Sequence, residues 1–258
     1  FPKNDEESEQ ARRQIIYQEF FLYQVRLQLL QLSRKTNNRG IPILYDVDKL
    51  KGFIATLPFE LTDGQKKVVN EICRDLRKPY EMNRLLQGDV GSGKTIVAVV
   101  ALMATVLGGY QGAFMVPTEI LAEQHYRTLQ SLFEYTDVSV ALLTGSTKAK
   151  DRKELLHRLA EGDLHILIGT HALIQEDVVF ADLGLVITDE QHRFGVQQRH
   201  KLNEKGNNPN VLYMTATPIP RTLAITTMGE MDVSVLNQMP DGRKPIKTIW
   251  NKSDKIEN

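Results

Sequence analysis

Hydrophobic and polar positions follow two different rhythms along the chain, and the change of rhythm divides it. Between residues 1 and 35, Ile15, Ile16, Phe20, Phe21, Val25, Leu27, Leu29, Leu30 and Leu32 succeed one another with no interior Gly or Pro. Acidic Asp5, Glu6 and Glu7 precede this run and Arg34-Lys35 closes it, the polarity that a helix macrodipole favours, so the pattern predicts one long helix with a wide apolar face. So broad a face has to pack on something, either its own domain or a second domain that the helix joins to the first. Asn37, Asn38, Gly40 and Pro42 predict an exposed loop over 36–47, and a short helix follows at 49–56. Thr62 is a good N-cap for a helix that runs to about Lys78, and Pro79 prevents its continuation.

From residue 84 onward, short apolar runs alternate with helical patterns. Strands are predicted at 84–87, 112–116, 138–143, 164–168, 183–188 and 211–214. Helices are predicted at 96–104, at 119–133 behind a Thr118 cap, at 149–160 before Gly162, and at 197–204. Continuous apolar strands alternating with helices predict an α/β fold with a mostly parallel sheet covered by helices on both faces. The pattern assigns 1–47 to a linker helix and loop, 48–239 to the α/β lobe and 240–258 to a further linker. In that last stretch Pro240-Asp241-Gly242-Arg243-Lys244-Pro245 is linker-like, and Lys247–Trp250 begins a strand-like piece that is not completed. With the abrupt start, this predicts a cut from a longer protein.

Composition narrows the class. Hydrophobic residues at 41% and charged residues at 25% of 258 suffice for a real core. Lys+Arg and Asp+Glu balance at 32 each, so any nucleic-acid contact must come from local patches or from another domain. The single cysteine, Cys73, falls in an amphipathic helical pattern and is read as a small core residue. No apolar run is long enough to span a membrane, and the acidic start is no signal peptide, which points to a reducing cytosolic compartment.

The candidate chemistry centres on Gly88-Asp89-Val90-Gly91-Ser92-Gly93-Lys94-Thr95, a G-x-x-x-x-G-K-T run between a predicted strand and a predicted helix. Glycines let successive backbone N–H groups curl toward phosphate oxygens, and the helix N-terminus adds positive partial charge. Lys94 would reach the β- and γ-phosphates, and the Thr95 hydroxyl would ligate Mg2+. A second run, Leu185-Val186-Ile187-Thr188-Asp189-Glu190, places two carboxylates at the C-terminal end of a strand, the edge where open α/β sheets bind ligands. There Asp189 would hold Mg2+ through its water shell, and Glu190 would polarise the attacking water. His157, His165 and His200 read as surface residues, and His125 as a packing residue of its helix. The basic clusters 148–153 and 199–201 read as solvated faces.

The order of motifs resembles superfamily 2 helicases and translocases. Gly88–Thr95 is similar to motif I, Pro117-Thr118-Glu119 to motif Ia, and Gly169-Thr170-His171 to motif Ib. Asp189-Glu190-Gln191-His192 is similar to a DEAH-type motif II, and Thr215-Ala216-Thr217 to motif III. The longer runs Gly169–Glu176, Asp189–Val196 and Thr215–Thr222 resemble the RecG family of bacterial fork-remodelling DNA translocases, and the resemblance covers essentially the whole chain. It implies a RecA-like P-loop NTPase lobe, with the N-terminal helix similar to the one that joins that family's wedge domain to its motor. ATP and Mg2+ are the implied cofactors, and Lys94 and Glu190 the implied catalytic residues. Gln65 would read adenine through its amide, with Phe59 or Leu61 as an apolar contact. Gln191 and His192 would sense the γ-phosphate, and Thr215 and Thr217 would couple that state to motion between lobes. Thr118, Thr170 and His171 would lie on the DNA face.

The implied partners are branched DNA, bound through the full-length protein, together with a second motor lobe and a wedge domain absent from this chain. The implied location is the bacterial cytoplasm. ATP is hydrolysed between two lobes in this superfamily, so the chain alone is expected to bind Mg-nucleotide weakly and hydrolyse it barely. One alternative is a transcription-repair coupling translocase, a family that usually carries DEEH where this chain has Gln191. Another is a nucleotide-switched binding module without catalysis, against which the intact Lys94, Thr95, Asp189 and Glu190 argue.

Overall fold

The computed structural model describes residues 2, 4–37, 40–190, 194–217 and 231–237. Within them the N-terminal pattern forms one helix, α1 (Asp5–Asn37), with acidic residues in its first turn. It is not docked on the lobe along its apolar stripe. Ile16, Phe20, Phe21 and Leu29 are 52%, 53%, 55% and 61% exposed, while Leu27 is buried. Of the two expectations for this helix, packing on its own domain is therefore not met among the described residues.

The lobe begins with α2 (Val47–Ala55), capped by the Asp46 carboxylate, and α3 (Asp63–Leu76), capped by Thr62 as expected. Then come β1 (Asn83–Gly88), α4 (Lys94–Leu107), β2 (Gln111–Met115), α5 (Glu119–Leu132), β3 (Val140–Leu143), α6 (Ala149–Glu161) and β4 (Ile166–Gly169). A 3-10 turn at His171–Ile174 follows, then β5 (Leu183–Thr188), α7 (Val196–Asn203), β6 (Asn210–Thr215) and β7 (Asp232–Leu236). Seven strands form one sheet in the order β3-β4-β2-β5-β6-β1-β7, and every pairing is parallel. The expected parallel sheet is thus met in full.

Among the described residues, alternation along the strands feeds two main cores and a third, small cluster of Leu85, Val211 and Tyr213. Leu86, Phe114, Ile187 and Met214 face the layer of α2 to α5, and Ala113, Met115, Leu167 and Val186 face α6 and α7. Near the start of β5 the register shifts, with Gln111 opposite Leu183 but Gly112 opposite Leu185, so Leu183 turns to the second core while Leu185 serves the first. Helix α4 is buried along Ile96–Thr105 because α2 and α3 pack over it on one side and the sheet lies on the other. Each of its buried Val, Ile and Leu side chains contributes about 1.5–3 kcal/mol relative to exposure. This packing fixes the helix N-terminus at the carboxyl edge of the sheet.

Arg84 on β1 ties the layers together. It bonds Asp75 and Glu71 of α3 and Ser234 of β7, while Lys78 bonds the other Asp75 oxygen. Cys73 is free and buried in the first core, as read from its pattern. The linker expected at 240–258 lies outside the described residues.

Candidate nucleotide site

The parallel sheet brings the distant motifs to one edge. Register pairs Gln87 of β1 with Thr215 of β6, and Thr188 of β5 with Tyr213 of β6. Gly88, Thr215 and Asp189 therefore leave neighbouring strands at the same end, with Thr215 between the phosphate loop and the acidic pair.

The loop has the shape its glycines permit. Gly91 and Gly93 adopt φ of 81° and 86°, in the left-handed region. At Gly93 a side chain would also collide with the Gln65 amide, 2.1 Å from the ideal Cβ position. Lys94 Nζ donates to the Gly88 and Asp89 carbonyls at 2.7 and 3.1 Å, which holds the ammonium over its own loop. Burial pulls the Lys94 pKa below the usual lysine value, opposed by the charges of Asp189, Glu190 and Asp89.

Asp189 is 9% exposed, and its backbone N–H donates to the Met115 carbonyl at 2.9 Å. Its Oδ1 accepts the Glu190 N–H at 2.9 Å, and its Oδ2 lies 3.1 Å from Nε2 of His125. Glu190 is half-buried, with φ of 49°, a left-handed conformation that costs a non-glycine residue about 1–3 kcal/mol and is retained where the surroundings dictate it. The Thr215 and Thr217 hydroxyls are 2.7 Å apart, and the Thr217 N–H donates to Thr215 Oγ1 at 3.2 Å. Gln191 and His192 lie outside the described residues.

The site also fits a hard divalent cation. Thr95 lines the cleft, and among the described residues each Asp189 oxygen makes one hydrogen bond and keeps a lone pair beyond it. No cluster of three or more His, Cys, Asp or Glu able to hold a metal occurs among the described residues. An ion here would be completed by phosphate oxygens and water, as suits Mg2+.

A cleft of about 1250 Å³ runs from Gly93 and Thr95 past Gln65 to Phe59 and Leu61. Phe59 is 48% exposed, and Leu61 is buried. Gln65 is engaged more fully than expected of a base reader. Its Oε1 accepts the Thr62 N–H at 2.9 Å and its Nε2 donates to the Ser92 carbonyl at 3.0 Å, so it closes a capping box and pins the phosphate loop. Reading adenine would use its remaining N–H and lone pair, or exchange these bonds.

Other expectations divide. Thr118 is exposed and caps α5, accepting the Leu121 N–H at 3.3 Å, and His171 is exposed. Thr170 is 1% exposed with an unpartnered hydroxyl among the described residues, so its side chain does not lie on an open face as expected; it is the residue that begins the 3-10 turn after β4. His157 and His200 are exposed as read, but His165 is half-buried and its Nδ1 accepts the Ser139 N–H at 3.0 Å. The basic cluster at 148–153 is a solvated face as read, on which Arg152 clasps the exposed Asp177 at 2.7 Å. Sequence alone reads His125 as a packing residue, yet its Nε2 lies against Asp189 of the acidic pair. The signal was in its helix, since Ala122, His125 and Leu129 form the buried stripe at helical spacing and one member of it is polar.

The profile of the DEAD/DEAH box helicase family matches residues 62–225. The chain is 59% identical over 256 residues to the ATP-dependent DNA helicase RecG of Bacillus subtilis, covering 99% of this chain and 38% of that protein. To RecG of Staphylococcus epidermidis it is 60% identical over 247 residues, 96% of this chain and 36% of the relative. It thus spans little more than a third of these curated relatives' length. A solved structure of RecG bound to a three-way DNA junction superposes with a TM-score of 0.83 at 45% identity, over 95% of this chain and 33% of that one. A DEAD box protein from Methanococcus jannaschii shares the fold, with a TM-score of 0.56 at 23% identity over 75% of this chain and 55% of that one.

Proposed function

The chain belongs to the DEAD/DEAH box helicase family, and from that premise we propose that it is the ATP-binding lobe of an ATP-dependent DNA translocase that remodels branched DNA, as at stalled forks and junctions. The observation that carries the reading is the shared sheet edge, where register sets Thr215 between the phosphate loop and Asp189. The kinship with RecG and the fit to a junction-bound RecG support branched DNA as the partner of the full-length protein.

In this reading Lys94 and the N–H groups of Gly91–Thr95 bind the β- and γ-phosphates. Thr95 and Asp189 hold Mg2+, which supplies charge neutralisation on the phosphates when bound. Glu190 takes the proton of the attacking water. Thr215 and Thr217, hydrogen-bonded to each other beside Asp189, report the phosphate state to a second motor lobe. Phe59 offers its exposed ring to the base, and Gln65 relays base occupancy to the Ser92 carbonyl that it already holds. In this reading the exposed Thr118 and His171 meet DNA phosphates, next to the buried Thr170. A second lobe would supply the cation that stabilises the transferring phosphoryl group, an effect of several orders of magnitude in rate.

ATP hydrolysis by the full-length protein, measured without DNA, with linear duplex and with a three-way junction, tests the reading. Strong junction stimulation that is lost in Glu190→Gln supports it. Equal rates in all three conditions would overturn branched DNA as the partner. The 258-residue chain alone is expected to stay far below a motor-like turnover of roughly 1–100 s⁻¹ with or without DNA.

A further inference from the structure

We infer that His125 is a positioning residue for Mg2+: its Nε2–H holds the Asp189 carboxylate in the orientation that the ion requires. The inference rests on the reading of Asp189 as the metal-positioning acid. His125 is 9% exposed and belongs to α5, sixty-four positions before Asp189 in the chain. Its Nε2 lies 3.1 Å from Asp189 Oδ2, and because a carboxylate oxygen can only accept, the ring nitrogen donates. The imidazole cannot swing freely, since the buried Phe114 ring lies 4.8 Å from it, centroid to centroid, tilted by 44°. On the other side of the carboxylate, Oδ1 accepts the Glu190 N–H at 2.9 Å. One bond to each oxygen fixes both the rotamer and the plane of the group, and leaves a lone pair on each for the water shell of an ion.

A merely space-filling residue would need no nitrogen at this point. A buried stripe otherwise formed by Ala122 and Leu129 would be filled more favourably by an apolar side chain. Outer-sphere donors of this kind typically change metal affinity by about 10- to 100-fold when lost, because the ligand must then be ordered by the ion itself. His125 also sits about two turns along α5 from its N-cap Thr118, so the same helix carries both a residue proposed to meet DNA and the donor that orders the metal-positioning acid.

The test is a Mg2+ titration of the binding of a fluorescent, non-hydrolysable ATP analogue to the full-length protein. His125→Leu should raise the half-saturating Mg2+ concentration about tenfold while leaving analogue affinity in EDTA unchanged. His125→Gln, which keeps an N–H donor at similar reach, should restore the Mg2+ requirement to within about threefold of the wild type. Should His125→Leu fail to fold, judged by circular dichroism, His125→Phe is compared with His125→Gln in its place. An unchanged Mg2+ requirement in the folded donor-less variant, or a folded His125→Gln no better than it, overturns the proposal. Asp189→Asn runs in parallel. If it raises the Mg2+ requirement while the His125 variants do not, only the role of His125 falls. If Asp189→Asn itself leaves the requirement unchanged, the metal reading of Asp189 falls with it.

Discussion

Replacing Arg84 by Met removes the guanidinium from a buried network and leaves its partners behind. The Arg84 and Asp75 side chains are 10% and 7% exposed. Arg84 Nε donates to Asp75 Oδ2 at 3.0 Å, and Nη1 donates to Ser234 Oγ at 2.7 Å. Removing one partner of a buried ion pair costs about 3–5 kcal/mol, because the other charge stays desolvated. Here Lys78 Nζ keeps its 2.6 Å bond to Asp75 Oδ1, and the Ser234 hydroxyl can still donate to Glu71 Oε2 at 2.5 Å, so the cost falls at the lower end, about 3 kcal/mol. For a chain of this size that lowers the melting temperature by roughly 6–12 °C. Burial alone would raise the Asp75 pKa, but the bonds and charges of Lys78 and Arg84 outweigh it and hold the carboxyl below its ordinary value. A depressed carboxyl contributes its stability in full above the unfolded pKa of about 3.9, and loses it as pH falls through the folded value. The difference between wild type and Arg84→Met in urea unfolding should therefore be flat from about pH 5 to 8 and shrink only below about pH 4. The double variant Arg84→Met/Asp75→Leu should return to within about 1 kcal/mol of wild type, since an apolar pair replaces an ionic one at little cost. A single variant within about 1 kcal/mol of wild type at pH 7, or a double variant no better than the single, would refute the reasoning.

Lys94→Ala should weaken nucleotide binding roughly 10- to 100-fold in a fluorescence titration, the loss of about 1.5–3 kcal/mol of charged hydrogen bonds, with the fold retained by circular dichroism. Gln65→Ala breaks the bonds to the Thr62 N–H and the Ser92 carbonyl and should cost about 2–3 kcal/mol in nucleotide-free urea unfolding, so a loss under about 0.5 kcal/mol would show that the amide is not what pins the loop. Thr170→Val removes a buried hydroxyl that has no partner, and should leave stability unchanged or raise it by about 1 kcal/mol without weakening DNA-stimulated hydrolysis of the full-length protein. Deleting residues 1–39 should move the melting temperature of the lobe by no more than about 2 °C, because α1 buries little beyond Leu27.

The elements that could be read in advance were those whose cause is local. Thr62 and Thr118 cap helices where a hydroxyl precedes an amphipathic run, and Gly162 ends α6 in the left-handed conformation that its position called for. The phosphate loop was legible for the same reason, since its glycines answer a local backbone need. What escaped depends on residues far apart in sequence. Nothing near Arg84 announces Ser234, 150 positions away, and the place of Asp232–Leu236 beside β1 follows from topology alone. The wide apolar face of α1 showed that the helix needs a partner, but periodicity carries no information about which surface supplies it. Gln65 shows a third case, in which the residue was found but its amide proved to be shared between a helix cap and the phosphate loop.

In the proposed motor, that sharing bears on how one lobe would sense a nucleotide before a second lobe closes on it. Gln65 reaches the loop from α3, His125 reaches Asp189 from α5, and the Thr215–Thr217 pair stands between them at the end of β6. Each contact comes from an element anchored elsewhere: α3 through Arg84 to β1 and β7, α5 through Ala122 and Leu129 to the first core. A phosphate that draws Lys94 away from the Gly88 and Asp89 carbonyls changes the loop that Gln65 holds, and an ion at Asp189 loads the bond to His125. Because these partners sit on rigid, packed helices, the binding energy can be spent on moving helices relative to the sheet instead of being dissipated in a floppy loop. In the proposed motor, a lobe built this way would have its sensor assembled before a second lobe arrives, and would bind nucleotide by itself while hydrolysing it slowly.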